Sequence, residues 1–214
     1  RLPVDKAAFR GEIPPIENLV PFSPFSYYIE RKLFVHNMGH ASTAYLGQYL
    51  GCETIWESIA KPEVELIVLR AMQASALAMS KRYNVPFQGL NEHVENLIYR
   101  FSNKQLGDTN ARVGGDIKRK LSPNDRMIGA LTMCREEGVS TDYLEAAIAA
   151  SLLFRREGEE PMEPDYILTE VSGFAKDDET YKRIMTYYDM LCAKKPLADI
   201  IKAIKTKQGE AVIV

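Results

Sequence analysis

The stretch that most constrains this chain runs from Lys32 to Gly47 and reads KLFVHNMGHASTAYLG. Its apolar and small residues favour a buried or half-buried helix. Three polar residues interrupt it in the spacing K-x4-N-x2-H, namely Lys32, Asn37 and His40. On a regular α-helix Asn37 and His40 share one side, whereas Lys32 lies about 80° from His40 and about 140° from Asn37. Because a lysine stem is flexible, all three polar ends can border one pocket.

Two glycines within this helix, Gly39 and Gly47, add a second constraint. Each costs roughly 1 kcal/mol relative to alanine in a helix interior. Glycines at such positions usually mark a close approach. We therefore expect either a second helix or a ligand to lie against the segment at these points.

A lysine, an asparagine and a histidine with no acidic residue between them suit proton transfer at an alcohol or carbonyl carbon. A lysine whose pKa is lowered from about 10.4 toward 7–8 by burial can exchange a proton with a hydroxyl. An asparagine can donate to an oxygen that gains charge, and a neutral histidine can hold a neighbouring hydroxyl. Taken singly, each residue is more often structural or solvated. Together on an apolar helix they need partners, so the functional interpretation has equal weight.

A second block of polar motifs follows between Tyr99 and Arg126. It reads RFSN, then L-x-D, RV, RKL and DR, in that order. Together with K-x4-N-x2-H and the following AYLG, this order resembles the polyol-specific long-chain dehydrogenase family, also called the mannitol dehydrogenase family. The similarity extends from about residue 1 to about residue 192. Lys104 departs from the family pattern, which has proline after RFxN, so the resemblance is weaker in that loop.

The resemblance implies a substrate and a mechanism. The second block is more similar to the mannitol-1-phosphate 5-dehydrogenases than to mannitol 2-dehydrogenases or hexuronate reductases. Hydride transfer would be metal-independent and would use NAD held by an N-terminal Rossmann domain. In this chain Lys32 would be the acid/base, Asn37 would polarise the carbonyl or stabilise the developing alkoxide, and His40 would position a substrate hydroxyl. The alternatives are free mannitol or a hexuronate as substrate and, from another class, a non-catalytic helical interaction module.

A phosphorylated hexitol needs cations, and residues 107–123 form a polar, basic loop. Arginine suits phosphate best because its planar fork binds two oxygens at once. An ordinary solvated surface is the competing interpretation of such a loop. The candidate phosphate and substrate ligands are Arg100, Arg112, Arg119 and Lys120.

The fold predicted from the sequence is mainly α, a multi-helical, bundle-like substrate domain without the N-terminal Rossmann domain. No G-x-G-x-x-G fingerprint follows a strand anywhere in the chain. Residues 1–24 are proline-rich, which excludes helix interiors; they are either the end of the cofactor domain and a linker or a plain surface tail. Leu2 to Val4 favour a short edge strand. Residues 25–214 form the helical domain, with helices predicted at 25–50, 63–83, 90–101, 123–135, 143–156, 166–174, 178–191 and from Pro196.

Composition excludes several other classes of function. A formal net charge of −2 gives no reason to expect nucleic acid or anionic lipid as the main partner. The three cysteines are far apart, which indicates neither a disulfide framework nor a metal cluster and suits a reducing cytoplasm. His36 and His40 have a zinc-compatible i,i+4 spacing, but Asn37 stands where a metalloprotease helix has glutamate, so we expect no metal. No stretch is long and apolar enough to predict a membrane span.

Overall fold

The computed structural model describes residues 2–160 and 162–212, with side chains described as far as residue 209. It confirms the mainly helical fold. The strands are β1 (Leu2–Asp5) and β2 (Leu19–Phe22). The helices are α1 (Ser26–Glu30), α2 (Met38–Tyr49), α3 (Ile55–Ile59), α4 (Pro62–Tyr83), α5 (Phe87–Phe101), α6 (Asn110–Gly114), α7 (Ile117–Lys120), α8 (Ile128–Glu136), α9 (Asp142–Leu153), α10 (Pro164–Tyr166), α11 (Glu179–Cys192) and α12 (Leu197–Val212). Arg31–Asn37 and Ile167–Val171 are π-helical, and Lys6–Ala8 and Lys104–Leu106 are 3₁₀ turns.

The two strands form a parallel pair in which Leu2 lies opposite Leu19. The predicted edge strand at the start of the chain is therefore confirmed. Within the described residues these strands make the only sheet, so no Rossmann sheet is present there. Phe22, at the end of β2, packs its ring 5.1 Å from that of Tyr27 and 5.2 Å from that of Tyr28, which joins this segment to the first helix.

The long helix α4 lies at the centre of the domain, as its wide apolar surface predicts. Helices α2, α5, α8 and α9 all pack against it. Helix α9 is buried on almost every side, from Leu144 to Leu152. Burying one leucine or isoleucine side chain contributes about 1.5–3 kcal/mol. This shared core holds α2, and with it the candidate site, against a rigid partner.

The two glycines of α2 mark close helix contacts, as expected. A Cβ added at Gly39 would overlap the sulfur of Met72 on α4. A Cβ added at Gly47 would overlap the hydroxyl of Ser58 on α3. Both approaches are between helices, so the structure selects the first of the two alternatives offered by the sequence.

The predicted helix at 123–135 begins later than the sequence suggested. Helix α8 starts at Ile128, and a turn occupies the residues before it. The carboxylate of Asp125 accepts a hydrogen bond of 2.6 Å from the Arg126 amide, and the Ser122 hydroxyl donates to the carbonyl of Arg119. These local bonds between side chains and backbone compete with helix formation, so the Ser-Pro pair at 122–123 opens a turn instead.

The last helices are joined to the core by buried charge. The Arg183 guanidinium on α11 donates two hydrogen bonds of 2.7 Å to the fully buried Glu145 carboxylate on α9. On α12, Lys207 pairs with the buried Asp142. The apolar stripe predicted for α12 faces the core, which leaves its lysines at the surface: the stripe consists of Leu197, Ile200, Ile201 and Ile204. Across the described residues, no helix has both the length and the apolar character of a membrane span.

Candidate active site

The candidate site is built on a helix that widens in its middle. From Arg31 to Asn37 the backbone forms π turns, in which an amide donates to the carbonyl five residues back. The amide of Met38, for example, donates to the carbonyl of Leu33. Lys32 and Asn37 are five residues apart, so the widened turns bring them closer to one side of the helix than the separation of about 140° on a regular α-helix.

Lys32 and Asn37 differ in their exposure. The lysine is exposed, and the asparagine is half-buried. The described residues therefore do not provide the burial that the sequence interpretation requires of an acid/base lysine. The preceding residue, Arg31, extends away over the ring of Tyr28, with its guanidinium carbon 4.9 Å from the ring centroid.

His40 lies three residues further along, in a more enclosed position. Its ring stacks on that of Phe101 from α5, with centroids 5.0 Å apart and planes 14° apart. Its Nε2 atom lies 3.1 Å from a carboxylate oxygen of Asp108. Burial lowers the pKa of His40 to about 4, and the nearby charge of Arg112 acts in the same direction. Asp108 acts in the opposite direction, but Arg112 already shares its charge. His40 is therefore neutral at pH 7.

Asp108 is held in place by its backbone as well as by its side chain. Its carbonyl accepts a hydrogen bond of 3.0 Å from the Ile55 amide at the start of α3. The neighbouring Thr109 forms an isolated bridge with Thr54. The carboxylate of Asp108 contacts both His40 and the Arg112 guanidinium. Asp108 thus links two residues that the sequence had nominated separately.

Two other histidines share the Lys32 face of the domain. Burial lowers the pKa of His36 and of His93 to about 4, and the charge of Arg100 contributes at both positions. Lys32 also contributes at His36, and Arg100 itself is exposed. The exposed Lys32 and Arg100 therefore both lie near His36. Among the described residues, no group of three or more histidines, cysteines, aspartates or glutamates is arranged to hold a metal ion.

The remaining basic candidates are each occupied by contacts within the domain. Arg112 is 66% exposed at its side chain and pairs with Asp108. Arg119 pairs with Asp116 and with Asp125. Lys120 is only 4% exposed. Its ammonium donates to the carbonyls of Val113, at 2.7 Å, and Gly115.

Arg126, the arginine of the DR motif, was not among the predicted site residues but lies close to this group. The Arg126 guanidinium donates to Asp125 at 2.8 Å and is 16% exposed. Its charge lowers the pKa of His40 and of Lys120. The hydroxyl of Tyr45, which also feels this charge, is buried without a hydrogen-bond partner among the described residues, and burial raises its pKa. The charges of Arg112, Arg126 and Lys120 therefore all act on His40.

A small pocket of about 10 Å³ adjoins His40. It is lined by His40, Ile55, Trp56, Phe101, Asn103, Leu106 and Asp108. Lys104, the residue that departs from the family pattern, lies over the Trp56 ring at 4.2 Å, beside this pocket. A much larger groove of about 730 Å³ runs between α4 and α12. None of the nominated site residues lines that groove, so its size does not make it the candidate site.

Comparison with known proteins identifies the family. Residues 25–188 match the family model described as the mannitol dehydrogenase C-terminal domain. The chain belongs to the mannitol dehydrogenase family. A relative from Brevibacillus brevis named mannitol-1-phosphate 5-dehydrogenase is 38% identical over 151 residues, which are 71% of this chain and 39% of that protein. The chain therefore spans about two fifths of the length of this family member.

Solved structures share the fold at low sequence identity. A ternary complex of Pseudomonas fluorescens mannitol 2-dehydrogenase with NAD and D-mannitol matches 89% of this chain and 43% of its own, with a TM-score of 0.66 and 20% identity. A substrate-free D-sorbitol dehydrogenase matches 88% of this chain and 44% of its own, with a TM-score of 0.65 and 17% identity. These matches support the helical fold of this mannitol dehydrogenase family domain.

Several residues that contact the predicted site residues were not themselves predicted from the sequence. Asp108 and Phe101 were visible only as letters in the L-x-D and RFSN motifs, and their partner His40 lies more than 60 positions away in the chain. His36 was weighed only as a metal ligand. The i,i+4 spacing of the two histidines was the available signal, since it placed both rings on the side of the helix that receives Phe101.

Proposed function

We propose that this chain is the substrate-binding and catalytic domain of an NAD-dependent oxidoreductase that interconverts D-mannitol 1-phosphate and D-fructose 6-phosphate. The observation that carries the proposal is that Lys32, Asn37 and His40 follow one another along the π segment and α2, with several cations acting on His40. The named relative that is 38% identical supports the choice of the phosphate ester. The active unit would be this domain together with its own cofactor-binding domain, in the cytoplasm.

In this proposal Lys32 exchanges the proton of the reacting hydroxyl. Its exposure in the present chain suits a residue that a second domain covers, because closure would exclude water from the reacting atoms. Asn37, one widened turn away, donates its amide N–H to the oxygen that carries negative charge during the reaction. His40 holds a neighbouring hydroxyl and so fixes the orientation of the sugar chain.

NAD would supply the hydride acceptor, which becomes NADH when the polyol is oxidised. This chain would supply one part of the NAD-binding site. The chain has no glycine-rich turn between a strand and a helix, so the dinucleotide needs the separate domain for its phosphates. What this chain offers is the open surface around Lys32 and Arg100, against which a bound nicotinamide and a sugar can lie.

The preference for a phosphate ester rests on charge. Arg112, Arg126 and Lys120 all act on His40, so a dianionic group near that histidine enters a favourable potential. Arg112 is the most exposed of the three and can exchange its carboxylate partner for phosphate, which offers the same bidentate geometry. Arg100 borders the same surface. Lys120 and Arg119 would contribute mainly through their charge, because their polar atoms already have partners within the domain.

The test is turnover by the full-length protein. NADH oxidation is followed with fructose 6-phosphate, fructose and fructuronate, for the native protein, for Lys32→Ala and for Lys202→Ala. Lys202 is an exposed lysine of α12 and serves as the matched control. We expect turnover with fructose 6-phosphate alone, a loss of at least about 100-fold in Lys32→Ala, and native activity in the control.

Other outcomes separate the alternatives. Turnover with fructose would make the protein a mannitol 2-dehydrogenase, and turnover with fructuronate would make it a hexuronate reductase. Either result would keep the role of Lys32 and contradict the assignment of the basic residues to phosphate. A folded protein that binds NADH but reduces none of the three ketoses would favour the non-catalytic interaction module.

A further inference from the structure

The Asp108 carboxylate contacts both His40 and Arg112. This carboxylate is 19% exposed at the side chain and lies 3.1 Å from Nε2 of His40, whose side chain is 22% exposed. The backbone bond from Ile55 and the bridge between Thr54 and Thr109 fix the loop that carries it. The Phe101 ring, stacked on His40, prevents the imidazole from turning freely. Both partners are therefore held in one mutual orientation.

The chemistry of a neutral imidazole then determines which nitrogen carries the proton. An unprotonated Nε2 would direct its lone pair at an anionic oxygen, which is repulsive. A protonated Nε2 instead donates a charge-assisted hydrogen bond to the carboxylate. The second nitrogen, Nδ1, is left with its lone pair and can only accept a hydrogen bond.

We propose that Asp108 is a positioning residue that locks His40 in the Nε2–H tautomer, so that Nδ1 accepts a hydrogen bond from a substrate hydroxyl. This rests on the proposed function, because it assigns His40 a hydroxyl group as its ligand. It also predicts which kind of substrate group His40 binds. His40 recognises a group that can donate a hydrogen bond, and does not assist a carbonyl or phosphate oxygen, which can only accept one.

Arg112 is paired with the same carboxylate. The guanidinium and His40 bind Asp108 at the same time, one at each oxygen. When Arg112 moves to an anionic substrate group, the contact between His40 and Asp108 can remain. The tautomer of His40 therefore does not depend on whether Arg112 is engaged.

The experiment measures the tautomer directly in the full-length protein without substrate. Long-range ¹H–¹⁵N correlation spectra of ¹⁵N-histidine-labelled protein distinguish the two forms, and His40→Gln assigns the signal. We expect the Nε2–H form in the native protein and in Arg112→Met. We expect a substantial Nδ1–H population in Asp108→Ala and in Asp108→Asn, the latter covering the case in which the alanine variant does not fold.

Turnover provides the second readout. In both Asp108 variants kcat/KM for the sugar substrate should fall by about 10- to 100-fold, because the acceptor nitrogen is no longer fixed. An Nδ1–H signal in the native protein, or an unchanged tautomer in a folded Asp108 variant, would overturn the proposal. Since the spectra need no substrate, they remain decisive if none of the three ketoses is reduced, a result that would count only against the proposed function.

Discussion

The buried lysine of the basic loop allows a prediction whose sign and size both follow from the structure. Lys120 is 4% exposed, and burial lowers the pKa of its ammonium from the ordinary value of 10.5 to about 8, with Arg126 and Arg119 adding to the effect. The folded state therefore binds the proton less tightly than the unfolded state. Below about pH 8 both states carry the proton, and the free energy of unfolding is reduced by the full cost of burying the charge. The free energy of unfolding then rises as the pH rises from about 8 to about 10.5.

The recovery can be calculated for a practical pH range. With pKa values of about 8 folded and 10.5 unfolded, the native protein should gain up to about 1.3 kcal/mol between pH 7 and pH 9 from this group alone. Solvent and the two carbonyls that accept from the ammonium reduce the effect, so about 0.7 kcal/mol is expected. Lys120→Met removes the titrating group while keeping the length of the side chain.

The assay is urea unfolding of the native protein and of Lys120→Met at pH 7, 8 and 9. Comparing the two proteins cancels the titration of all other groups. The free energy of unfolding of the native protein should rise with pH relative to that of the variant. Parallel pH dependences, or a native protein that loses stability relative to the variant, would refute the argument that burial disfavours this charge. Lys118→Met, in the same loop but exposed, should show the native pH dependence.

Three further changes test the packing and the buried charge. Arg183→Met should lower the free energy of unfolding by about 3–5 kcal/mol, because the buried Glu145 carboxylate loses its cationic partner; replacing both residues together should cost less, and equal costs would contradict this. Gly47→Ala should cost about 1–3 kcal/mol, since its Cβ overlaps Ser58, and a smaller residue at 58 should restore the melting temperature. Leu131→Ala, in the core of α8, should cost about 2–5 kcal/mol by urea unfolding.

Local patterns in the sequence were sufficient for much of the fold. The apolar periodicity of α4, the density of prolines before Phe25 and the glycines of α2 each reflect a physical requirement that acts over a few residues. Such requirements can be identified without knowing the rest of the chain. The helix expected at 123–135 was placed too early because hydrogen bonds from Asp125 and Ser122 stabilise a turn there. Those bonds depend on side-chain orientations, which helix propensities do not describe.

The sequence indicated the residues of the candidate site better than it indicated their arrangement. Lys32, Asn37 and His40 were evident from their types and spacing. The contact between His40 and Asp108 joins residues far apart in the chain, and the backbone bonds of the Asp108 loop to residues 53–55 hold it in place. The burial of Lys120 likewise depends on how α7 folds back on the end of α6, where the carbonyls of Val113 and Gly115 accept from the ammonium. Composition indicates that a loop is basic but not which of its cations point inward.

The directions in which the polar side chains point relative to one another depend on the π turns between Arg31 and Asn37. If the same sequence closed into a regular α-helix, Lys32 would lie about 140° from Asn37 around the axis, although all the side chains of the motif would still be present. Transplanting K-x4-N-x2-H onto an ordinary helix would fail for the same reason, and a sequence search for the motif alone would not reveal the difference.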